Sequence, residues 1–213
     1  LHPQGTDGLL NNCRKAEPRA CGFCDRQSHG CLQQVMEIRK LAEEKWKGYK
    51  LHFSYTTAGY YDFDVRGWAF GLVFHPYGEE REKSFEGELF EDWAESPSAF
   101  GAFEGEKLVG AVGCARESWN NRFRVTELLV DVPFRGRGIG SALLARAEEE
   151  GRRAGARMLV LETQTCNRRA IDFYRKNGFV PIGFDLCSYS DEDRERTEVR
   201  LEMGKSLAPA GKI

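Results

Sequence analysis

The segment 128–141 reads LLVDVPFRGRGIGS, and its pattern decides the fold class. An apolar run ends at Val132, a proline follows, and glycines 136, 138 and 140 lead into a helical pattern. Small residues let backbone N–H groups approach an anion, and a helix N-terminus adds a favourable potential there. The segment therefore predicts a strand, a pyrophosphate-binding turn and a helix. The alternative is a glycine-rich turn that only starts a helix.

Strands and helices alternate on both sides of this segment. Upstream, apolar runs predict a three-stranded meander at 99–104, 107–115 and 123–132. Downstream, the pattern predicts a helix at 136–153, a buried strand at 158–161, a helix from Asn167 to Gly178, and strands at 179–186 and 198–203. The alternation predicts an α/β fold.

Composition changes along the chain and divides it into three parts. Residues 1–35 form an irregular, cysteine-rich extension, 36–205 a single catalytic domain, and 206–213 a flexible tail. The extension contains Cys21, Cys24, His29 and Cys31, four ligands that could hold zinc. The spacing is short for a common zinc finger, so we expect an unstructured extension and no metal.

Overall charge and hydropathy exclude several classes of partner. The chain has 213 residues, 41% of them hydrophobic and 30% charged, with a formal net charge of −2. A balanced charge of this kind gives no general attraction to nucleic acid or to an anionic membrane. No apolar run approaches the roughly 20 residues of a membrane span, and the opening residues show no charged region followed by an apolar one, so we expect no secretory signal. These features predict a cytoplasmic protein.

The glycine-rich segment resembles the GNAT acetyltransferase superfamily. The motif R/Q-x-x-G-x-G/A is matched by Arg135, Gly138 and Gly140, directly after a predicted strand. The run from Leu161 to Phe179 is similar to the streptothricin acetyltransferase branch. The resemblance implies a GNAT fold, a mixed and splayed central sheet flanked by helices, with an opening after Val130. It also implies acetyl-CoA as co-substrate.

The resemblance assigns cofactor binding to residues at the splay, in the turn and at the second helix. Backbone groups of the splayed strand would bind the pantetheine and the acetyl carbonyl, and N–H groups of the turn would bind the pyrophosphate. The cofactor-binding residues are Val130, Val132, Arg135, Gly136, Arg137, Gly138, Ile139, Gly140, Ser141 and Asn167.

Two residues are candidates for moving protons. Tyr174 stands at the position of the general acid in the family, where a phenol can protonate the departing thiolate. Glu127 lies in the strand that leads to the splay and could accept the ammonium proton through a water molecule. The alternatives are a tyrosine that only packs in the core and an exposed strand carboxylate.

The resemblance also suggests the acceptor, a primary amine in the β-lysine part of streptothricin, and thus antibiotic resistance. Tyr61, Asp62 and Asp185 are candidates for binding this cationic small molecule. Two other functions stay open, namely an N-acetyltransferase of proteins or peptides and a non-catalytic acyl-CoA sensor. The sequence also leaves open whether the chain forms a homodimer.

Overall fold

The computed structural model describes residues 36–208, which form a seven-stranded sheet, a two-stranded sheet and flanking helices. In chain order the elements are β1 (Met36–Leu41), α1 (Glu43–Trp46), β2 (Lys50–Arg66), β3 (Ala69–Glu88), β4 (Glu95–Glu104), β5 (Lys107–Glu117), β6 (Arg122–Val130), α2 (Ile139–Arg153), β7 (Met158–Gln164), α3 (Arg168–Lys176), β8 (Val180–Asp185) and β9 (Arg200–Ser206). The predicted cysteine-rich extension and its zinc alternative lie outside the described residues. Within them, no helix is long and apolar enough to span a membrane.

The large sheet has the strand order β1-β4-β5-β6-β7-β9-β8 and is mixed. The predicted meander is confirmed, since β4, β5 and β6 pair antiparallel in sequence order. Strand β6 then pairs with β7 in parallel, but only from Arg122 to Arg124. Beyond this short ladder the two strands part. The prediction of a splayed α/β sheet is therefore confirmed, but the parting begins before Val130, where we had placed it.

A bulge in β6 accompanies the early parting of the strands. Gly113 pairs with Glu127 and Cys114 pairs with Val125, which leaves Thr126 without a partner in β5. An extra residue of this kind bends its strand and re-aims the side chains that follow. The bulge therefore separates the start of β6, which pairs with both β5 and β7, from its end, which carries Glu127 and Val130 and pairs with β5 alone.

Helix α2 covers one face of the meander. Its buried residues Ile139, Leu143, Leu144 and Ala147 are the predicted apolar face, and they pack against β4, β5 and β6. Apolar side chains at this spacing line one side of a helix, which explains why a helix forms here. The packing fixes α2 beside the end of β6 that no longer pairs with β7.

The ribbon of β2 and β3 was not predicted. These strands are 17 and 20 residues long and pair antiparallel almost throughout, with one irregularity between Thr57 and Gly59. The N–H of Tyr61 donates to the carbonyl of Thr165 at 3.1 Å, which anchors the ribbon beside the end of β7. The ribbon thus supplies a wall next to the parted strands.

The C-terminal boundary lies later than the sequence predicts. Ser206 is the last residue of β9, and Leu207 is buried. The N–H of Leu207 donates to the carbonyl of Arg157 at 3.0 Å, and Arg152 donates to the carbonyl of Leu207 at 2.7 Å. Because these contacts belong to the packed domain, Ser206 and Leu207 are part of the domain and not of the predicted tail.

Candidate active site

A cavity of about 760 Å³ lies where β6 leaves β7. Its walls come from residues 53–58 of β2, from 128–130 of β6, from the turn before α2 and from α3 along its length. Residues far apart in the chain therefore meet around one space. The volume is within the range of small-molecule and cofactor sites.

The turn before α2 offers free backbone donors to this cavity. Gly136 and Gly138 have φ values of 79° and 81°, the left-handed region that glycine adopts without strain. Gly138 caps α2 without a side-chain hydrogen bond, and the Ala142 N–H donates to its carbonyl at 3.0 Å. The N–H groups from Ile139 to Ser141 have no protein partner among the described residues. They form a cradle suited to an anion.

Gly140 is also needed for packing between the two helices. A Cβ atom at this position would lie 3.1 Å from Cζ of Phe173 in α3. Ile139, Gly140 and Ser141 all line the cavity, and Ile139 can offer only its backbone because its side chain is buried in the core. The glycines of the turn thus serve two purposes, backbone conformation at 136 and 138 and close approach at 140.

Arg135 braces the cavity wall. Its Nε donates to the carbonyl of Val130 at 2.9 Å, and its Nη2 donates to the carbonyl of Ser54 at 3.1 Å. One side chain thereby joins the turn, β6 and β2. Burial lowers the pKa of Arg135, and the nearby charge of Arg169 lowers it further. The Val130 carbonyl, predicted to bind the cofactor, is therefore already engaged.

Two predicted cofactor residues lie outside the cavity wall. The Arg137 guanidinium pairs with Glu104 at 3.6 Å and sits 4.9 Å from the centre of the Phe134 ring. Val132 is 62% exposed in a single 3-10 turn after β6. Neither side chain faces the cavity, because the turn directs them towards the outer surface.

Tyr174 lines the cavity from α3. Its ring is buried between Phe173 and Phe179, with centroid distances of 5.4 and 5.9 Å. Its hydroxyl makes no hydrogen bond to any described residue. Burial raises the pKa of Tyr174, and the charge of Glu127 raises it further. The hydroxyl is thus a protonated donor without a protein partner.

Glu127 is not part of the cavity wall, but it directly precedes Leu128, which lines the cavity, and its carboxyl lies beneath β3. A Cβ atom at Gly87 would stand 2.7 Å from the Cδ and both Oε atoms of Glu127. Burial raises the pKa of Glu127 to about 8, and the like charges of Glu91 and Glu162 contribute. In its ionised form, a carboxyl with this pKa is a strong enough base to accept a proton near neutral pH.

Asn167 combines a structural contact with a free group. Its Oδ1 accepts a hydrogen bond from the Ala170 N–H at 3.2 Å, so it caps α3 as predicted. Its side-chain NH₂ group donates to none of the described residues, although Asn167 lines the cavity. An amide of this kind can cap the helix and bind a ligand together.

The three predicted acceptor residues do not reach the cavity. The Tyr61 ring contacts Phe74 at 5.5 Å, and the Asp62 carboxylate pairs with Arg194 at 3.4 Å. The Asp185 carboxylate accepts a hydrogen bond from the Cys187 N–H at 3.0 Å. The two carboxylates are engaged with other groups, the Tyr61 ring packs within the ribbon, and none of the three residues lines the cavity.

Sequence reasoning missed two groups of cavity residues. Phe53 and Phe85 stack across the ribbon with centroids 4.5 Å apart and line an apolar wall. Arg169 and Lys176 of α3 line the cavity and add positive charge, and Arg169 stands near Arg135 of the turn. The basic pair directly after Asn167 was the available signal for the second group, whereas the first depends on an unpredicted ribbon.

Comparison with known proteins identifies the family. Residues 64–179, more than half of the chain, match the model of the acetyltransferase (GNAT) family. The chain belongs to this family and is an N-acetyltransferase. A streptothricin acetyltransferase from Streptomyces lavendulae is 32% identical over 170 residues, which cover 76% of this chain and 89% of that protein.

Solved structures with the same fold include two that match over most of their length. The crystal structure of nourseothricin acetyltransferase has a TM-score of 0.66 at 28% identity, and the match covers 81% of this chain and 99% of that one. A protein from Bacillus anthracis str. Ames, solved in complex with acetyl coenzyme A, has a TM-score of 0.65 at 22% identity and covers 81% and 98%. The second match shows the fold alone.

The raised pKa of Glu127 makes the stability of the protein depend on pH. The folded-state pKa of about 8 exceeds the usual value of 4.5, so folding favours the protonated carboxyl. This contribution is complete below about pH 4.5 and is lost as pH rises through about 8. We expect Glu127→Gln, which is never charged, to gain stability relative to the unsubstituted protein over that range. Urea unfolding at several pH values measures the difference.

Glu106→Gln provides the control, because the Glu106 side chain is 93% exposed. Its unfolding free energy should follow that of the unsubstituted protein across the same range. A constant difference between Glu127→Gln and the unsubstituted protein from about pH 4.5 to 8 would contradict the raised pKa.

Proposed function

We propose that this protein transfers an acetyl group from acetyl-CoA to a primary amine in the β-lysine part of streptothricin, which would confer resistance to that antibiotic. The observation that carries the proposal is one cavity walled by both the uncapped N–H cradle and Tyr174, with the charge of Glu127 close enough to act on Tyr174. The names of two relatives, a streptothricin and a nourseothricin acetyltransferase, support this acceptor.

The cavity suits acetyl-CoA, which supplies the acetyl thioester. The free N–H groups from Ile139 to Ser141 match a pyrophosphate, and the cations of Arg169 and Lys176 would attract its negative charge. The Asn167 amide and apolar side chains of β6 match the pantetheine arm, which alternates amide and methylene groups. The relative from Bacillus anthracis was solved with acetyl coenzyme A.

Proton transfer at the site follows from two side chains. Glu127 accepts the ammonium proton through a water molecule and frees the amine lone pair, which forms the new C–N bond at the thioester carbonyl. As the C–S bond breaks, Tyr174 gives its proton to the thiolate. The attacking nitrogen releases its second proton to solvent as the tetrahedral intermediate collapses, Tyr174 regains a proton from solvent, and Glu127 passes its proton to solvent. Of the two protons that leave the ammonium nitrogen, one is balanced by the proton that sulfur gains and the other is released.

An acceptor with several positive charges suits the acidic surroundings of Glu127. Glu91 and Glu162 stand close enough to raise its pKa, and their charges would attract a cation. Acetylation of a protein or peptide amine is the alternative outcome of the tests below. A cytoplasmic location and a homodimer stay predictions from the sequence.

The acceptor is tested by mass spectrometry. We expect one added acetyl group on the β-lysine part of streptothricin, formed only when acetyl-CoA is present. Aminoglycosides, polyamines and a histone-like peptide serve as competing acceptors in parallel reactions with measurement of coenzyme A release. Rapid acetylation of the peptide without any streptothricin product would assign the protein to the peptide-modifying alternative.

The proton donor is tested by Tyr174→Phe, which keeps the ring between Phe173 and Phe179. Because the hydroxyl is the proposed donor to the thiolate, kcat should fall by about 10²-fold with little change in acetyl-CoA affinity. Tyr49→Phe is the control, since Tyr49 is 44% exposed outside the cavity wall. Equal turnover of both variants, where chemistry limits the rate, would show that solvent protonates the thiolate.

The phosphate side of the cavity is tested by Arg169→Glu. Reversal of this charge should weaken acetyl-CoA binding by about tenfold or more, and added salt should reduce the effect. Arg175→Glu makes the same change in net charge on the same helix but away from the cavity wall. Isothermal titration calorimetry compares the two. Equal weakening in both variants would mean that only the overall charge of the protein matters.

A further inference from the structure

Gly87 makes an unusually close contact with the Glu127 side chain. An ideal Cβ at Gly87 would lie 2.7 Å from the carboxyl carbon and from both oxygens of Glu127. This is well inside van der Waals contact, so the carboxyl rests on the bare backbone of β3. The contact joins the ribbon to β6 at the proposed proton acceptor.

The backbone at residue 87 does not itself require glycine. Its φ lies outside the left-handed region, unlike those of Gly136 and Gly138. Gly87 pairs with Leu51 in a regular part of the ribbon, where a side chain would be favoured over glycine. The conformation therefore gives no reason for glycine here, whereas the position of the Glu127 carboxyl does.

We propose that Gly87 is a positioning residue, which seats the Glu127 carboxyl under the ribbon and holds it in a water-poor place beside the acceptor end of the cavity. This inference rests on the proposed function, in which Glu127 accepts the ammonium proton. Phe85 supports the placement because residues two apart share a face of a strand, and Phe85 lines the cavity.

The groups that face Glu127 favour its protonated form. Glu91, after β3, and Glu162, of β7, bring negative charge, and Tyr174 of α3 is neutral. No cation within the described chain pairs with Glu127, while Glu162 is paired with Arg200 at 2.7 Å. Burial under Gly87 and these like charges act in the same direction and account for the pKa of about 8.

A side chain at position 87 has two ways to relieve the overlap. The carboxyl turns away towards the cavity, or the ribbon lifts from β6. Both changes admit water to the carboxyl, so both lower its pKa. The expected sign is therefore the same whichever movement occurs.

The test compares Gly87→Ala with Gly71→Ala. Gly71 lies in the same strand, and a Cβ there would meet nothing within 4 Å. In Gly87→Ala we expect the acid limb of the kcat/KM profile to move down by about one pH unit or more, and maximal kcat to fall by about tenfold. Acetyl-CoA affinity should be unchanged in both variants, and the profile of Gly71→Ala should match that of the unsubstituted protein.

Carbon-13 NMR of the glutamate carboxyls gives a readout that does not need activity. In the unliganded protein, the pKa of the Glu127 carboxyl should be lower in Gly87→Ala by a similar amount. Glu127→Gln, which lacks this carboxyl, identifies its signal. If Glu127→Gln retains full activity, the proposed base is wrong, yet the NMR shift still reports the contact. A folded Gly87→Ala with an unchanged carboxyl titration would overturn the inference.

A second variant tests the contact by rescue. Asp at position 127 is one methylene shorter and draws the carboxyl back from a methyl group at 87. The double variant Gly87→Ala/Glu127→Asp should therefore exceed the activity that the two single variants predict together. Should Gly87→Ala fail to fold, Glu127→Asp alone should lower the carboxyl pKa by about one unit or more, well beyond the difference of about 0.4 between free aspartate and free glutamate. A fall no larger than that difference would equally overturn the inference.

Discussion

The separation of β6 from β7 is the constraint on which the rest of the molecule depends. These strands share a parallel ladder over only three residue pairs, and beyond it the backbone groups that face the gap need other partners. Arg135 takes the carbonyl of Val130, and the Tyr61 N–H takes the carbonyl of Thr165. The gap becomes a cavity because α3, the turn before α2 and the ribbon close it.

Arg124, the last residue of β6 that pairs with β7, is a buried cation held by carboxylates at this junction. Arg124 donates to Glu117 and, at 3.2 Å, to Glu202 of β9. Burial alone would raise the pKa of Glu117, but Arg124 and Arg122 outweigh burial and lower it. Loss of one member would leave a buried charge unpaired, which commonly costs about 3–5 kcal/mol. The strands can therefore part at one end while they stay joined at the other.

Local sequence patterns predicted the part of the site proposed to bind acetyl-CoA, the acetyl donor. Long-range packing determined the rest of the site. The cradle and Asn167 follow from glycine spacing and helix capping, which a short stretch of sequence records. Asp62 was predicted at the acceptor side from its charge alone, but it pairs with Arg194, 132 residues later. From the sequence alone, Gly87 is only a residue that weakens a strand. Its contact with Glu127 becomes visible only when β3 lies over β6. Such roles depend on contacts that no periodicity encodes.

The ribbon pairs with itself and adds no strand to the seven-stranded sheet. Its attachments, among them the Tyr61 N–H, the Ser54 carbonyl and the buried Phe63 ring, leave the hydrogen-bond ladder of the large sheet untouched. In evolutionary terms, the exposed tip of the ribbon around Trp68 can therefore change in length or side chains at little cost to the acetyl-donor half of the molecule. One acetyl-donor framework can in this way acquire new acceptor molecules by alteration of a single hairpin.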